Sequence, residues 1–310
     1  MKHQQLRYFL QIASSGSMTK AAAALHIAQP ALSRQMQLLE EELGISLFER
    51  STKGVRLTPS GELLRKRGNA LALQHESVVD ELRSQSGSEA SFSLIVPPSL
   101  HEFITVPLVS RFLKENPSQL LKVNEAASAV IDVTLWLESA QAHLAIVAGP
   151  RSTAALSALP LVVEPLCAVT SLDRGLQLDA PVSLSSIVSV PLAIPTRPNS
   201  IRVIVDRACG EQGVVPPVCL EVNSKQLALD LAEAGSVTAI LPYSAIYFAV
   251  ADGRLSAAPI VGMVIEWSMV RSRNRYFPNI GEHVEAMATD IAEKRVASGS
   301  WGTAYIPTGF

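Results

Sequence analysis

The sequence predicts a multidomain α+β protein: an N-terminal winged helix-turn-helix with a linker helix, followed by a two-lobed α/β domain. Residues 17–58 show two helical patterns of apolar residues around a short turn, and a small basic hairpin follows them. From residue 92 onward, short apolar runs alternate with helical stretches, which is the βαβ rhythm of a parallel sheet with helices on both faces. With 310 residues and 48% hydrophobic content, the chain can bury more than one core.

The first two helices follow from apolar spacing and from residues that suit helix ends. Four residues at helical spacing give the first helix one buried face: Leu6, Phe9, Leu10 and Ala13. Gly16 then ends this helix, and Ser17 is a suitable N-cap for the second because its hydroxyl can accept an unpaired backbone N–H. Residues 26–28 form the turn. Pro30 fits the first turn of the third helix, where the N–H that it lacks would have no partner.

The third helix has two chemically different faces. Four apolar residues step by four, three and four and form one buried stripe: Leu32, Met36, Leu39 and Leu43. The opposite face carries amide, hydroxyl and guanidinium groups, which are the types that hydrogen-bond to base edges and phosphates. The DNA contacts predicted for this helix are Gln29, Pro30, Ser33, Arg34 and Gln37. An ordinary helical bundle with a solvated polar face is the alternative explanation of this pattern.

A basic hairpin follows the third helix. Gly44 ends the helix, residues 47–50 and 55–58 have the pattern of two short strands, and residues 51–54 form the turn between them. Three cations on this hairpin are well placed for phosphates or the minor groove: Arg50, Lys53 and Arg56. The hairpin favours DNA binding over a plain helical module.

Charge is unevenly distributed along the chain. Residues 1–67 hold ten basic and five acidic residues and so carry +5, which leaves −7 for the rest of a chain whose net charge is −2. A basic head joined to an acidic body favours binding of a polyanion by the head. The distribution therefore supports double-stranded DNA as the partner.

The first sixty residues resemble the LysR-type transcriptional regulators. The residues that match the family's motifs, in its order, are Leu6, Phe9, Gly16, Ser17, Thr19, Ala21, Ala22, Gln29, Pro30, Ala31, Leu32, Ser33, Gln35, Met36, Leu39, Glu40, Leu43, Gly44, Leu47, Phe48, Arg50, Leu57, Thr58 and Gly61. Residues 190–213 and 221–242 look like the nitrogen-assimilation-control branch of that family. The resemblance implies a sequence-specific regulator that binds DNA as a dimer or tetramer and responds to a small-molecule effector. A regulator without an effector is the main variant, and RNA polymerase is a further candidate partner.

A linker helix is predicted from Pro59, with Thr58 as its cap, to about residue 83. Apolar residues recur every seven positions, which is typical of a helix that pairs with a partner helix: Leu64, Leu71 and Val78. Because Gly68 and His75 interrupt this heptad pattern, a surface helix packed on its own domain is the rival interpretation. The resemblance implies dimerisation here. The small polar residues 85–91 have the composition of a hinge.

The predicted domains are a DNA-binding domain at residues 1–58, with its helix-turn-helix at 18–37, a linker helix at 59–87, and a regulatory domain at 88–310. Within the regulatory domain, lobe I is expected at about residues 92–166 and 267–300, and lobe II at about 167–266. Two such lobes joined by crossing strands resemble a periplasmic-binding-protein fold. In the LysR family this fold holds the effector in the cleft between the lobes.

Six residues near the predicted carboxyl ends of strands, where backbone N–H groups converge, are candidate effector contacts: Ser99, Ser128, Thr196, Arg197, Asn199 and Arg202. For Ser99 and Ser128 it is the resemblance that implies this role, because the family often has cleft residues at the matching positions. Ser99 has capping-box spacing with Glu102, so it either caps a helix alone or also contacts the effector. Glu102 argues against a strongly anionic ligand there. Arg202 lies in a first helical turn, which Ser200 is expected to cap, and its charge requires an anionic partner, either a ligand or an acid such as Glu221.

One departure from the family weakens the transfer of cleft contacts from relatives. The family's usual Leu-Asp-Leu-Ala-Ile is replaced here by residues 143–146, His-Leu-Ala-Ile, without the aspartate. A lone histidine at the start of a strand is more often structural than a ligand. The cleft residues are therefore predicted from position in the fold as well as from resemblance.

Other function classes find little support in the sequence. No catalytic motif or metal-ligand spacing occurs, so no catalytic residue, metal or cofactor is predicted. Cys167, Cys209 and Cys219 lack paired spacing and are interpreted as small buried residues in a reducing cytosol. The N-terminus has no apolar signal segment and no apolar run is long enough for a bilayer. A cytoplasmic protein without membrane contact is therefore expected, rather than a solute receptor.

Overall fold

The computed structural model describes residues 1–25, 27–51, 54–65, 67–68, 71, 75, 78, 82, 91–126, 130–138, 142–149 and 152–307. The chain divides into two compact units. The first holds residues 1–86 together with 138–140, and the second holds residues 87–137 and 141–310. Each unit has its own apolar core.

The first unit is a helix-turn-helix followed by a two-stranded hairpin. Its first elements are α1 (His3–Ser15), α2 (Met18–Ala24), α3 (Gln29–Leu43), β1 (Phe48–Ser51) and β2 (Gly54–Leu57). The Ser17 hydroxyl caps α2 by accepting the N–H of Lys20, as the sequence predicts. Gly16 and Gly44 end α1 and α3 with φ angles of 62° and 67°, a left-handed conformation that glycine adopts readily.

The core of this unit lies among the three helices and the hairpin. Its buried apolar residues are Leu6, Phe9, Ile12, Ala21, Ala22, Leu32, Met36, Leu39 and Leu47. In α1, Ile12 takes a buried position, whereas Leu10 and Ala13 are only partly buried. The predicted stripe of α3 is confirmed except at Leu43, which is 39% exposed because it is the last residue of the helix, beyond the buried turns.

Helix α4 begins at residue 59 and is helical at every described position through residue 82. Its predicted cap is confirmed, since Thr58 Oγ1 accepts the N–H of Gly61 at 3.0 Å. Three apolar side chains at heptad spacing on α4 are at least half exposed: Leu71, Val78 and Leu82. These three residues are called the α4 seam below.

The two residues that interrupt the heptad pattern of α4 contact α1. A Cβ atom on Gly68 would lie 2.6 Å from Cδ1 of Leu6, so the absence of a side chain allows the close approach of the two helices. The His75 ring stacks on that of His3 with 3.9 Å between the centroids. Part of the helix therefore packs within its own unit, as the rival interpretation expects, while the α4 seam stays exposed.

The second unit contains an eight-stranded mixed sheet within its described residues. Its strands are β3 (Phe92–Val96), β4 (Leu121–Glu125), β5 (Leu144–Ala148), β6 (Leu156–Thr170), β7 (Leu192–Ile194), β8 (Val218–Glu221), β9 (Thr238–Pro242) and β10 (Ser256–Ser272). Their order across the sheet is β4-β3-β5-β10-β6-β9-β7-β8. β3 pairs in parallel with β4 and β5, and β7 pairs in parallel with β8 and β9. The long strands β6 and β10 are antiparallel to each other and connect the two groups.

This arrangement confirms the predicted two-lobed domain with crossing strands. The helices are α5 (Val106–Glu115), α6 (Val130–Glu138), α7 (Leu184–Ile187), α8 (Ser200–Gln212), α9 (Lys225–Glu233), α10 (Tyr243–Ala251) and α11 (Asn279–Ala297). Helix α10 is not predictable from sequence spacing, because its residues are apolar on nearly all sides and show no amphipathic period. None of the described helices has the length and apolar character needed to cross a membrane.

Candidate nucleic-acid interface and effector cleft

The outward side of α3 presents the five residues that the sequence predicts as DNA contacts, called the recognition face here. Four are exposed and Ser33 is half-buried; the full set is Gln29, Pro30, Ser33, Arg34 and Gln37. Within the described part of the chain, the polar side chains of this face have neither a hydrogen bond nor an ion pair. On the opposite side, Leu32, Met36 and Leu39 are buried in the core. The core therefore fixes the helix so that its hydrogen-bonding groups point away from the unit.

Glu40 connects α3 to the hairpin, a role that was not predicted from the sequence. Its Oε1 atom accepts the backbone N–H groups of Leu47 and Phe48 at 2.6 and 3.1 Å. An ionised acceptor shared by two N–H groups makes stronger hydrogen bonds than a neutral one. Glu40 thus holds the first hairpin strand against the last turns of α3, which sets the distance between the recognition face and the hairpin.

The hairpin places one described cation at the surface. In its register Arg56 pairs with Glu49 and Arg50 pairs with Val55, and the Arg56 side chain is exposed. The position of Lys53 and the side chain of Arg50 lie outside the described residues. The backbone N–H of Val55 donates to the carbonyl oxygen of Gly16, which anchors the hairpin to the end of α1.

A cleft lies in the second unit beside the crossing strands, where the ends of several parallel strands meet. Two adjoining hollows that are open to solvent, with volumes of about 390 and 420 Å³ when that solvent is included, share part of their lining, including Ser99 and Asn199. Trp267 and Ile265 of β10 line the first cavity, and Lys225 lines the second. An apolar cavity with a few convergent polar groups is the usual form of a small-molecule site.

Only some of the predicted effector residues line the two cavities. Ser99 and Asn199 line both cavities, whereas Ser128 lies outside the described residues. The expectation that Ser99 caps a helix is wrong: it lies inside a short 3₁₀ turn, Pro98–Leu100, which a π turn and then α5 follow. Ser200 is likewise not the cap of α8, because the Asn199 side chain accepts the Ile201 N–H at 2.9 Å and takes that role.

Thr196 holds together the ends of two neighbouring strands instead of appearing in the lining of either cavity. Its N–H donates to Oδ1 of Asn223 at 3.1 Å, and Nδ2 of Asn223 donates to the Thr196 hydroxyl at 2.7 Å. Asn223 itself lines the second cavity. Thr196 was predicted from its position after a strand, whereas its partner Asn223 was not predicted.

Arg202 and Arg197 have acidic partners within the protein. Arg202 donates to Glu221 at 2.6 Å and to Asp206 at 2.9 Å, and the more exposed Arg197 donates to the same Asp206 at 2.8 Å. Burial alone would raise the pKa of Asp206, but the hydrogen bonds from Arg197 and Arg202 outweigh it and hold that pKa below its usual value. The anionic partner that Arg202 requires is thus supplied by side chains on α8 and β8.

Lys225, which lines the second cavity, forms an ion pair with Glu102. The Lys225 ammonium lies 3.3 Å from both carboxylate oxygens of Glu102, which belongs to the turn after β3, whereas Lys225 begins α9. Lys225 is 17% exposed and Glu102 is 37% exposed. The pair therefore joins elements that follow strands of the two different parallel groups.

The charge reversal Lys225→Glu is expected to destabilise the second unit, and the added reversal Glu102→Lys is expected to restore its stability. In a partly exposed pair the coupling energy should reach about 1 kcal/mol, because solvent screens part of the attraction. Chemical unfolding of the single and double variants measures it. The same reversals at Arg207 and Glu211, which are more than two-thirds exposed and 3.9 Å apart, serve as the control and should show almost no coupling. Equal coupling in both pairs would contradict the prediction.

The cysteines differ in exposure. Cys167 and Cys209 are buried, as expected, and burial raises the pKa of both thiols. Cys219 is exposed, against expectation, because it lies on β8 at the edge of the sheet. None of the described residues forms a cluster suited to a metal ion.

Comparisons with known proteins match both units. Residues 3–62 match the family described as "Bacterial regulatory helix-turn-helix protein, lysR family", and residues 85–288 match the "LysR substrate binding domain". The chain is 30% identical to the nitrogen assimilation regulatory protein nac of Escherichia coli over 79% of each chain. Its fold is similar to that of CbnR, a LysR family transcriptional regulator, with a TM-score of 0.67, 21% identity and coverage of 94% of this chain and 99% of the other. Full-length CbnR complexed with its target DNA gives a TM-score of 0.65, 21% identity, and coverage of 95% and 99%.

Proposed function

The chain belongs to the LysR family of DNA-binding transcriptional regulators, and on this premise we propose how its parts act. Helix α3 enters the major groove with its recognition face towards the base edges, and the β1–β2 hairpin contacts the phosphate backbone. The observation that carries this proposal is the largely exposed recognition face, whose polar side chains have no partner among the described residues and which buried leucines and methionine hold from behind. We assign DNA binding to residues 1–58, the linker to 59–87 and the regulatory domain to 88–310.

Footprinting of the region upstream of the protein's own gene tests this proposal. A symmetric oligomer with two helix-turn-helix heads should protect two half-sites whose centres lie about 34 Å apart, or a multiple of that distance. A variant that combines Arg34→Ala with Gln37→Ala should lose this protection and keep weak binding to unrelated DNA. Protection that is independent of sequence in the unmodified protein would contradict the assignment.

We propose that the α4 seam forms the dimer contact. Leu71, Val78 and Leu82 are at least half exposed and lie at heptad positions, so a second α4 would bury them. The same face of α4 packs on α1 through Gly68 and His75. These contacts fix the orientation of the helix within its unit.

The substitution Leu71→Asp is expected to dissociate the dimer. Burial of an unpaired carboxylate costs several kcal/mol, so the dimer dissociation constant should rise on the order of a hundredfold. Sedimentation over a concentration series measures it. Leu63→Asp is the matched control, because Leu63 is 61% exposed but lies to the side of the seam. If both variants dissociate equally, or neither does, the seam is not the contact.

We propose that the cleft binds a small molecule that modulates DNA binding. Polar groups converge there: the Ser99 hydroxyl, the Asn199 and Asn223 amides and the Lys225 ammonium lie among apolar residues of the cavity walls. Footprints recorded with a panel of metabolites should change with a compound that also raises the unfolding temperature of the protein. Ser99→Ala should weaken that compound without altering the footprint in its absence. If no compound changes the footprint, the variant without an effector is favoured.

Three further parts of the function stay as proposals. The protein acts by binding rather than by catalysis, in keeping with a family of transcriptional regulators. It acts in the cytoplasm, where its DNA target lies. Contact with RNA polymerase is a prediction that a gel shift of the protein–DNA complex with purified polymerase would test.

A further inference from the structure

A buried carboxylate lies beside the cleft. Glu164, on the crossing strand β6, is 1% exposed, and each of its oxygens accepts two hydrogen bonds. Oε1 accepts the Ser244 hydroxyl at 2.8 Å and the Trp267 indole N–H at 2.6 Å. Oε2 accepts the backbone N–H of Ser244 at 2.7 Å and the Trp301 indole N–H at 2.9 Å. Four donors thus meet the four acceptor positions of one carboxylate.

Packing alone does not account for a carboxylate at this position. Burial raises the pKa of Glu164, while the hydrogen bonds from Trp301, Ser244 and Trp267 oppose that rise. An apolar residue at such a position would avoid the desolvation of a carboxyl group. The four donors come from three places in the chain: the crossing strand β10, the start of α10, which supplies two of them, and the segment after α11. The carboxylate of Glu164 therefore links β10, the start of α10 and the segment after α11 through one side chain.

Two of these connections reach the cleft. Trp267 lines the first cavity, so the indole N–H that donates to Glu164 belongs to a side chain of the cleft wall. The Ser244 hydroxyl lies 2.8 Å from Glu164 and also 3.1 Å from the carbonyl oxygen of Ser99, which lines both cavities. A hydroxyl has one proton for these two acceptors. A shift of the Ser99 turn therefore changes the hydrogen bond that Glu164 receives.

The other connection leads away from the cleft. Trp301 is fully buried, does not line either cavity, and packs on Phe103 with 4.9 Å between ring centroids. Four residues later, Tyr305 exchanges backbone hydrogen bonds with Val163, the neighbour of Glu164 on β6. The C-terminal segment is thus attached to β6 beside the same carboxylate.

We propose that Glu164 is a positioning residue that couples the cleft to the C-terminal segment around Trp301. It orients Trp267 in the cleft wall and, through Ser244, the Ser99 turn, and it transmits a displacement of either to the Trp301 indole. The regulatory meaning of this coupling rests on the proposed role of the cleft as the effector site.

A covalent probe in the cleft tests the coupling without knowledge of the effector. The chain has three tryptophans, Trp136, Trp267 and Trp301, so 5-fluorotryptophan gives three fluorine NMR signals that Trp→Phe variants assign. Ser99→Cys, in a Cys219→Ser background that removes the exposed native thiol, is alkylated with iodoacetamide. We expect the Trp267 and Trp301 signals to shift by more than their linewidths. Alkylated Ser110→Cys, at an exposed position of α5, is the matched control and should shift neither.

Variants of Glu164 and Ser244 test whether the response of Trp301 to the probe passes through these two residues. With Glu164→Gln, which keeps the shape and loses the charge, the Trp301 signal should stop responding to the probe at Ser99→Cys while Trp267 still responds. Ser244→Ala removes a single hydroxyl, provides a second test if the first variant fails to fold, and should reduce the Trp301 response. A Trp301 signal that does not move, or that moves equally in the unmodified, Glu164→Gln and Ser244→Ala backgrounds, would overturn the proposal.

The DNA footprint separates the coupling from the proposed function. If alkylation shifts both tryptophan signals but leaves the footprint unchanged, the coupling stands and the effector role of the cleft fails. If alkylation changes the footprint and the Trp301 signal responds equally in the unmodified and Glu164→Gln proteins, the effector role stands and the coupling through Glu164 fails.

Discussion

Replacing Glu40 by alanine is expected to release the hairpin from α3 and to weaken binding to every DNA sequence. The substitution leaves the N–H groups of Leu47 and Phe48 without their carboxylate acceptor. A hydrogen bond to a charged group is worth about 1.5–3 kcal/mol, so hydrogen exchange at these two amides should accelerate by at least about tenfold. Because we propose that the hairpin contacts the phosphate backbone, the slope of log affinity against log salt should flatten by about one unit for each phosphate that the hairpin no longer neutralises.

Two variants separate this effect from a simple change of charge. Glu41→Ala removes the same charge from the neighbouring exposed position of α3 and should leave the amide exchange unchanged. Glu40→Gln keeps an oxygen that can accept both N–H groups but lacks the charge, so it should reverse only part of the acceleration in amide exchange. If Glu41→Ala weakens DNA binding as much as Glu40→Ala, the hydrogen bonds of Glu40 are not responsible.

The helix-turn-helix was predictable because its determinants are local. The capping hydroxyl of Ser17 and the helix-ending glycines, Gly16 and Gly44, act within a turn of their own positions. The apolar stripe and the recognition face of α3 repeat within one helix, so sequence spacing defines both. The strands of the second unit were predictable for the same reason, as short apolar runs between turn residues.

The contacts that organise the cleft were not predictable, because they join distant parts of the chain. Glu164 is 80 residues from Ser244 and 137 from Trp301, and Lys225 is 123 from Glu102. Which of these residues meet depends on the strand order of the mixed sheet, and neither periodicity nor capping carries a signal for it. Position at a strand end correctly predicted that Ser99 and Asn199 line the cavities. It also selected Arg202, whose charge is already neutralised by Asp206 of α8 and Glu221 of β8.

The substitution Arg34→Ala is expected to lower the affinity for the specific site by about 1–3 kcal/mol, that is, by roughly tenfold to more than a hundredfold. The Arg34 guanidinium is exposed on the recognition face, next to the half-buried Ser33, and has no ion-pair partner among the described residues. A guanidinium that donates two hydrogen bonds to one guanine loses both on truncation, so discrimination between sites should fall with affinity. Titration of specific and scrambled duplexes at one salt concentration measures both quantities.

The control for Arg34→Ala must remove one positive charge from the same unit without touching the recognition face. Arg7→Ala does so, because Arg7 is an exposed residue of α1. A general loss of electrostatic attraction would weaken specific and scrambled duplexes equally in both variants. Loss of base reading would appear only in Arg34→Ala and only on the specific duplex. If Arg34→Ala instead weakens both duplexes by the same factor, Arg34 contacts phosphate, and the specificity of α3 must then depend on Gln29, Ser33 and Gln37.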